Sequence, residues 1–229
     1  MKSPQTSPSV IYEDNHILVI DKPPLLATMG VQADEPSLVT WTRAWLKEKY
    51  DKPGNVYLGV VSRLDSFTSG LIVMAKTSKA AARLTRQFQS GEVQKVYTAI
   101  LEGRPAERAG QLTDWICKDD ARRRMVVCQA GHAGAKRAEL RYQVSGTQGT
   151  LTLVEIELLT GRKHQIRVQC SSRGWPVLGD RKYDATGKFP KGIALHSSSL
   201  TFLHPVRREE LSFRVAPPRY WNLGRFTGK

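Results

Sequence analysis

Residues 60–76 constrain the fold more than any other stretch of this chain. Two apolar runs, Val60-Val61 and Leu71-Ile72-Val73-Met74-Ala75, enclose Arg63, Asp65 and the triplet Thr68-Ser69-Gly70. Runs this short suit strands, and polar residues between them fall at a sheet edge or turn that faces a cleft. An aspartate between apolar segments must be paired or hydrogen-bonded if it is buried. Two readings fit the spacing. Asp65 and Arg63 form a pair that caps a turn, or Asp65 is a carboxylate kept ionised by a guanidinium and able to attack a sugar carbon.

The surrounding chain sets the fold class. Residues 10–12 and 16–20 predict a hairpin with a short polar turn, ended by Pro23-Pro24. Ser37 is placed to cap a helix over residues 38–50, with Leu38, Trp41 and Trp45 on its core face. Residues 57–65 read as a strand, which would point Arg63 and Asp65 to the same side. Residues 71–76 form the next strand. A helix follows, capped by Thr77 or Ser78 and closed by Gly91, with Ala81, Leu84 and Phe88 buried. Strands are expected at 95–101, 125–128, 138–144, 151–158 and 211–215, with β-formers also in 193–203. Residues 163–173 read as a helix. Strands outnumber helices and come in hairpin-like pairs. The fold class is therefore α+β around a mixed, mainly antiparallel sheet flanked by helices.

Charge then narrows the partners. The 229 residues carry 35 Lys and Arg against 21 Asp and Glu, a net charge of +14. Clustered cations of this excess favour a polyanion, because binding releases counterions from phosphates. No stretch reaches the ~20 apolar residues that span a bilayer, and the polar N-terminus lacks a secretory signal. The three cysteines are odd in number and contain no CxxC pair. A disulfide framework or zinc knuckle is thus not expected, and a reducing cytoplasm is the expected compartment. The basic turn Thr160-Gly161-Arg162-Lys163-His164-Gln165-Ile166-Arg167 suits a phosphate or carboxylate, or is a basic surface turn; its one His makes no metal site. Tyr97 reads alone as a core or rim residue. His196 and His204 read as packing or capping.

In this order, these motifs resemble the RluA family of RNA pseudouridine synthases. The matching stretches are Tyr12-Glu13-Asp14 with Ile17 to Pro23, Val61-Ser62-Arg63-Leu64-Asp65 with Thr68-Ser69-Gly70 and Ala75-Lys76, and Gln94-Lys95-Val96-Tyr97. They continue with Leu159-Thr160-Gly161-Arg162-Lys163-His164-Gln165-Ile166-Arg167-Val168, Pro176-Val177-Leu178-Gly179-Asp180 with Tyr183, and Leu195-His196 with His204-Pro205. The resemblance implies a sheet in two halves with an active cleft between them. It implies conversion of uridine to pseudouridine in rRNA or tRNA, without cofactor or metal. Asp65 would be the catalytic aspartate, Tyr97 would stack on the uracil, and Arg167 would hold Asp65 ionised. Arg63 would fill the space that the extruded uridine leaves. RNA contacts are expected from Arg162, Lys163, His164, Lys79, Arg83, Arg86, Arg122, Arg123 and Arg124.

The expected organisation is a flexible segment over 1–9, the catalytic domain over 10–216 and a tail over 217–229. The chain is read as lacking the S4-like domain that many relatives carry, and as a cytoplasmic monomer without an obligate protein partner. Ser62 and Phe67 depart from the family pattern, which has His before Arg-Leu-Asp and often a charged residue after Asp; here Ser66 and then Phe67 follow it. A non-catalytic RNA-binding protein and a uracil-releasing N-glycosylase are the alternative readings.

Overall fold

In a computed structural model, residues 7–228 are described, apart from 33, 34 and 52. The chain divides into two compact units. Unit 1 comprises Met1–Val93 and Ser197–Val215; unit 2 comprises Gln94–His196 and Ala216–Lys229. The fold is α+β. Residues 1–6 of the expected flexible segment lie outside the described residues.

Unit 1 is built on apolar runs buried on both faces. β1 (Ser9–Glu13) pairs antiparallel with β2 (Ile17–Lys22). α1 (Leu38–Lys49) follows, and β3 (Gly59–Val60) and β2 both pair with β4 (Ser69–Ala75). α2 (Ser78–Ser90) comes next. Ile17, Val19, Leu71, Val73 and Ala75 face α2, through Ala80 and Leu84. Leu18, Ile20, Ile72 and Met74 face α1, through Leu38, Val39 and Leu46. Side chains alternate across a strand, so a sheet covered by a helix on each face needs an unbroken apolar run. Each such fully buried aliphatic side chain contributes about 1.5–3 kcal/mol.

Both helix starts follow the sequence. Ser37 accepts from Thr40 N–H in a capping box, and Thr77 accepts from Ala80 N–H. The buried faces are rotated from the expected ones. Thr42 and Leu46 join Leu38 in the core, while the stacked rings of Trp41 and Trp45 lie partly buried beside it. In α2 the buried set is Ala80, Leu84 and Gln87, with Ala81 and Phe88 at its margin. Gln87 is tolerated inside because its amide meets both backbone groups of Leu203, at 2.9 and 3.0 Å.

Residues 57–65 are not the expected strand. Only Gly59 and Val60 pair, and residues 61–65 are irregular. β4 then begins against β10 (Leu195–Leu203), which pairs onward with β11 (Glu210–Arg214). Gly70 has φ +107°, and a Cβ there would lie 2.3–2.8 Å from the Ser197 backbone. Both facts demand glycine. Gly70→Ala should destabilise the fold by about 3 kcal/mol or more. The check is thermal unfolding; a melting temperature close to wild type would contradict this packing.

The β1–β2 turn is tied to the loop after β10. The Asp14 carboxylate accepts from His16 N–H at 2.8 Å, Ile17 N–H at 2.9 Å, the Tyr12 hydroxyl at 3.0 Å and His204 Nε2 at 2.8 Å. His204 Nδ1 accepts from the Val206 and Arg207 N–H groups, which places its proton on Nε2. Capping is therefore the role of His204. Burial raises the Asp14 pKa, but these donors outweigh it and bring the pKa down to about 2. A depressed carboxylate contributes stability above its unfolded value near 3.8 and loses it as pH falls through its folded value. Acidification from pH 4 to 2 should remove about 2 kcal/mol through this group. Asp14→Asn should show that much less acid dependence in urea titrations, and equal acid profiles would refute the tie.

Unit 2 is built on an antiparallel sheet in the order β5-β9-β8-β6-β7. Its strands are β5 (Gln94–Glu102), β6 (Ala109–Asp119), β7 (Arg124–Cys128), β8 (Lys136–Gln148) and β9 (Leu151–Leu158). β6 escaped the sequence reading. Its pattern is interrupted by Asp114, which is neutralised by a forked bond from Arg173 and a bond from Gln169. α3 (Gln165–Ser171) is shorter than the expected helix and packs Val168 with Ile116, Ala138 and Tyr183. Residues expected as a tail return to this unit: Trp221 is buried against His196 and Phe189, and Thr227 bridges to Thr147.

Candidate active site

Asp65 lies in the irregular segment before β4, half-buried, while Arg63 is exposed. The two do not alternate along a strand, so the same-side argument does not apply to them. Backbone clamps on either side of Asp65 replace the ladder. The Thr28 hydroxyl donates to the Leu64 carbonyl at 2.8 Å and accepts from Leu64 N–H at 3.2 Å. Lys22 Nζ donates to the carbonyls of Leu26 at 2.8 Å, Pro23 at 2.9 Å and Ser66 at 3.3 Å. The turn is closed by Thr68 N–H donating to the Asp65 carbonyl at 3.1 Å. Four hydrogen bonds thus fix the backbone of residues 64–68, which carries Asp65.

Lys22 has 0 % of its surface exposed. Burial pulls its pKa down to about 7, against the opposing pull of the negative charges on Asp65 and Asp21. Burial raises the pKa of Asp21, opposed by Lys22. The end of β2 therefore carries a buried cation that is electrostatically coupled to Asp65 and mechanically coupled to the next residue, Ser66. The sequence reading gave Lys22 no role. The available signal was a lysine closing an apolar strand run.

In unit 2, Tyr97 lies in β5, opposite Ile156 in the β5–β9 register, and is 9 % exposed. Arg167 lies in α3 and is 2 % exposed. Its Nε and Nη2 donate to Asp180 at 2.6 and 2.9 Å, a two-pronged charged bond. Its guanidinium lies 4.8 Å above the Tyr183 ring. The Tyr183 hydroxyl accepts from Met125 N–H at 3.1 Å and shares a 2.7 Å hydrogen bond with His164 Nδ1. Asp180 and Tyr183 thus fix the plane and height of the Arg167 guanidinium. Both stood in the motif that carried the resemblance, yet neither was given a role. A buried arginine demands a carboxylate, and that demand was the signal for Asp180.

The expected RNA-contact residues divide by exposure. Arg63, Lys79, Arg86, Arg122, Arg123, Arg162 and Lys163 are exposed. Arg83 is half-buried and donates to the Pro205 carbonyl at 2.7 Å. Arg124 binds the Lys182 carbonyl and the Asp184 carboxylate. Arg162 Nε donates to the Arg137 carbonyl. Among the described residues, no helix is long and apolar enough to cross a membrane.

The family model described as RNA pseudouridylate synthase matches residues 16–172, well over half of the chain. The chain belongs to this family and is an RNA pseudouridine synthase of the RluA type. It is 33% identical over 215 residues to the dual-specificity RNA pseudouridine synthase RluA of Haemophilus ducreyi, covering 90% of this chain and 92% of that one. It is 31% identical over 232 residues to the ribosomal large subunit pseudouridine synthase D of Zymomonas mobilis, covering 96% and 73%. Among solved structures, human RNA pseudouridylate synthase domain containing 4 is similar, with a TM-score of 0.78, 27% identity, and coverage of 94% and 92%.

Proposed function

We propose that this chain converts one or more uridines of ribosomal or transfer RNA to pseudouridine, with Asp65 as the catalytic aspartate. The N1–C1′ bond breaks, the uracil turns, and C5 bonds to C1′. The C5 proton is lost and N1 gains one, so the reaction is an isomerisation with no net change in atoms. Asp65 acts at the sugar in its ionised form, by attack on C1′ or by removing the 2′ proton. Tyr97 stacks on the uracil and assists loss of the C5 proton. Arg167 keeps the catalytic carboxylate ionised and oriented.

The target nucleotide must leave its stack for this chemistry, at a cost of a few kcal/mol. Arg63 fills the space left behind. The exposed cations Lys79, Arg86, Arg122, Arg123, Arg162 and Lys163 meet RNA phosphates. The protein works as a cytoplasmic monomer, and residues 10–216 carry its catalytic groups.

One observation carries the reading: the matched family segment contains Asp65, Tyr97 and Arg167 together. The clamped loop around Asp65 supports it, because a reacting carboxylate must be held in place. The name of one relative, a ribosomal large subunit pseudouridine synthase, supports ribosomal RNA as a substrate class. The test is pseudouridine mapping of total RNA from cells with and without the gene, with complementation. Sites that disappear and return identify the target. An unchanged map in rRNA and tRNA would overturn the substrate class.

A further inference from the structure

Three metal-ligand side chains that the proposed chemistry does not use converge in unit 2. The β6–β7 register sets Cys117 opposite Val126, and Cys128 opposite Trp115. Cys117 and Cys128 are therefore diagonal neighbours on one face of the hairpin. His132 follows in a loop that folds back on itself. Its N–H donates to the Gln129 carbonyl at 3.0 Å, and its own carbonyl accepts from Ala135 N–H at 3.0 Å.

The two sulfurs and one imidazole nitrogen all lie within 4.8 Å of one another. His132 Nδ1 is 2.9 Å from the Ala133 carbonyl. A carbonyl only accepts, so Nδ1 carries the proton and the ligating lone pair resides on Nε2. Metal-binding histidines are oriented in this way by a backbone carbonyl.

We propose that Cys117, Cys128 and His132 bind a thiophilic divalent cation, zinc in the first instance, with water in the fourth position. Two sulfurs and an imidazole select zinc over the oxygen-seeking magnesium and calcium. A tetrahedral zinc, with bonds of ~2.3 Å to sulfur and ~2.0 Å to nitrogen, holds its ligand atoms roughly 3.5–3.8 Å apart. From separations of up to 4.8 Å the cluster needs to close by about 1.3 Å at most to reach that spacing. The half-buried Cys128 and the exposed, loop-borne His132 are the ligands able to move. Binding displaces two thiol protons, and the two thiolates neutralise the ion. The ion would pin the loop after β7 to β6, in the hairpin whose turn carries Arg122 and Arg123. The linear sequence hides the site: Cys117 and Cys128 are eleven residues apart, and only the hairpin register joins them.

The test is a Co2+ titration of the full chain, stripped of metal and kept reduced with a phosphine. One equivalent should produce tetrahedral visible bands and a thiolate-to-cobalt charge-transfer band, and zinc should bleach both. Cys117 lies in the core, so the decisive variants are Cys128→Ser and His132→Ala, with folding confirmed by circular dichroism. Cys128→Ser should lose the tetrahedral spectrum, and His132→Ala should weaken cobalt binding at least about tenfold. Absence of the charge-transfer band in the wild-type protein would overturn the proposal. So would a spectrum and affinity unchanged in both variants.

Discussion

Asp65→Asn should lower pseudouridine formation on the order of 10⁴-fold or more, with little effect on fold or RNA binding. Asparagine keeps the size of aspartate but cannot supply a carboxylate charge. The loop should persist, because the clamps from Thr28 and Lys22 act on the backbone carbonyls of Leu64 and Ser66. The substitution also removes one of the charges that raise the Lys22 pKa. Lys22 should therefore titrate below its wild-type value of about 7, which NMR of a selectively labelled lysine reads directly. Melting curves and RNA affinity close to wild type, with product lost, are the expected combination. Retained turnover would remove Asp65 from the mechanism.

The second large effect concerns Arg167. Its pair with Asp180 is buried on both sides, at 3% and 2% side-chain exposure. Removing one partner of a buried ion pair costs about 3–5 kcal/mol. Arg167→Met and Asp180→Leu should each lower the melting temperature by roughly 6–20 °C for a chain of this size. The double variant should recover much of that loss, because apolar groups replace the whole pair. Activity separates a packing role from a catalytic one. If Arg167 serves only the fold, the double variant recovers turnover along with stability. If Arg167 acts on the catalytic carboxylate, stability returns and turnover does not. The latter is the expected result.

What the sequence made legible follows from how each element is buried. β2 and β4 are covered on both faces, so their side chains spell out continuous apolar runs. The starts of α1 and α2 are specified by Ser37 and Thr77, whose side chains satisfy orphan backbone donors. Residues 61–65 misled because a β-rich composition does not say what the backbone bonds to. There the partners are the Thr28 hydroxyl and, just beyond at Ser66, the Lys22 ammonium, not another strand. β6 was hidden because Asp114 interrupts its alternation, and its partners Gln169 and Arg173 are more than fifty residues away.

The same division runs through the site. Asp65, Tyr97 and Arg167 were nominated because motif order sets them apart from other residues of the same types. Lys22, Asp180 and Tyr183 were not, because their roles depend on whom they touch. Lys22 is a charge inside a core, and Asp180 and Tyr183 fix a guanidinium that the motif names but does not position. Ser62 and Phe67 depart from the family pattern, and nothing in the structure explains the substitutions.

The most direct test of the central claim is a nucleoside balance. Purified protein is incubated with unmodified rRNA and tRNA transcripts, and uridine, pseudouridine and free uracil are quantified. The account predicts that pseudouridine gained equals uridine lost, with no uracil released and no product from Asp65→Asn. RNA bound without pseudouridine, or uracil released into solution, would contradict it.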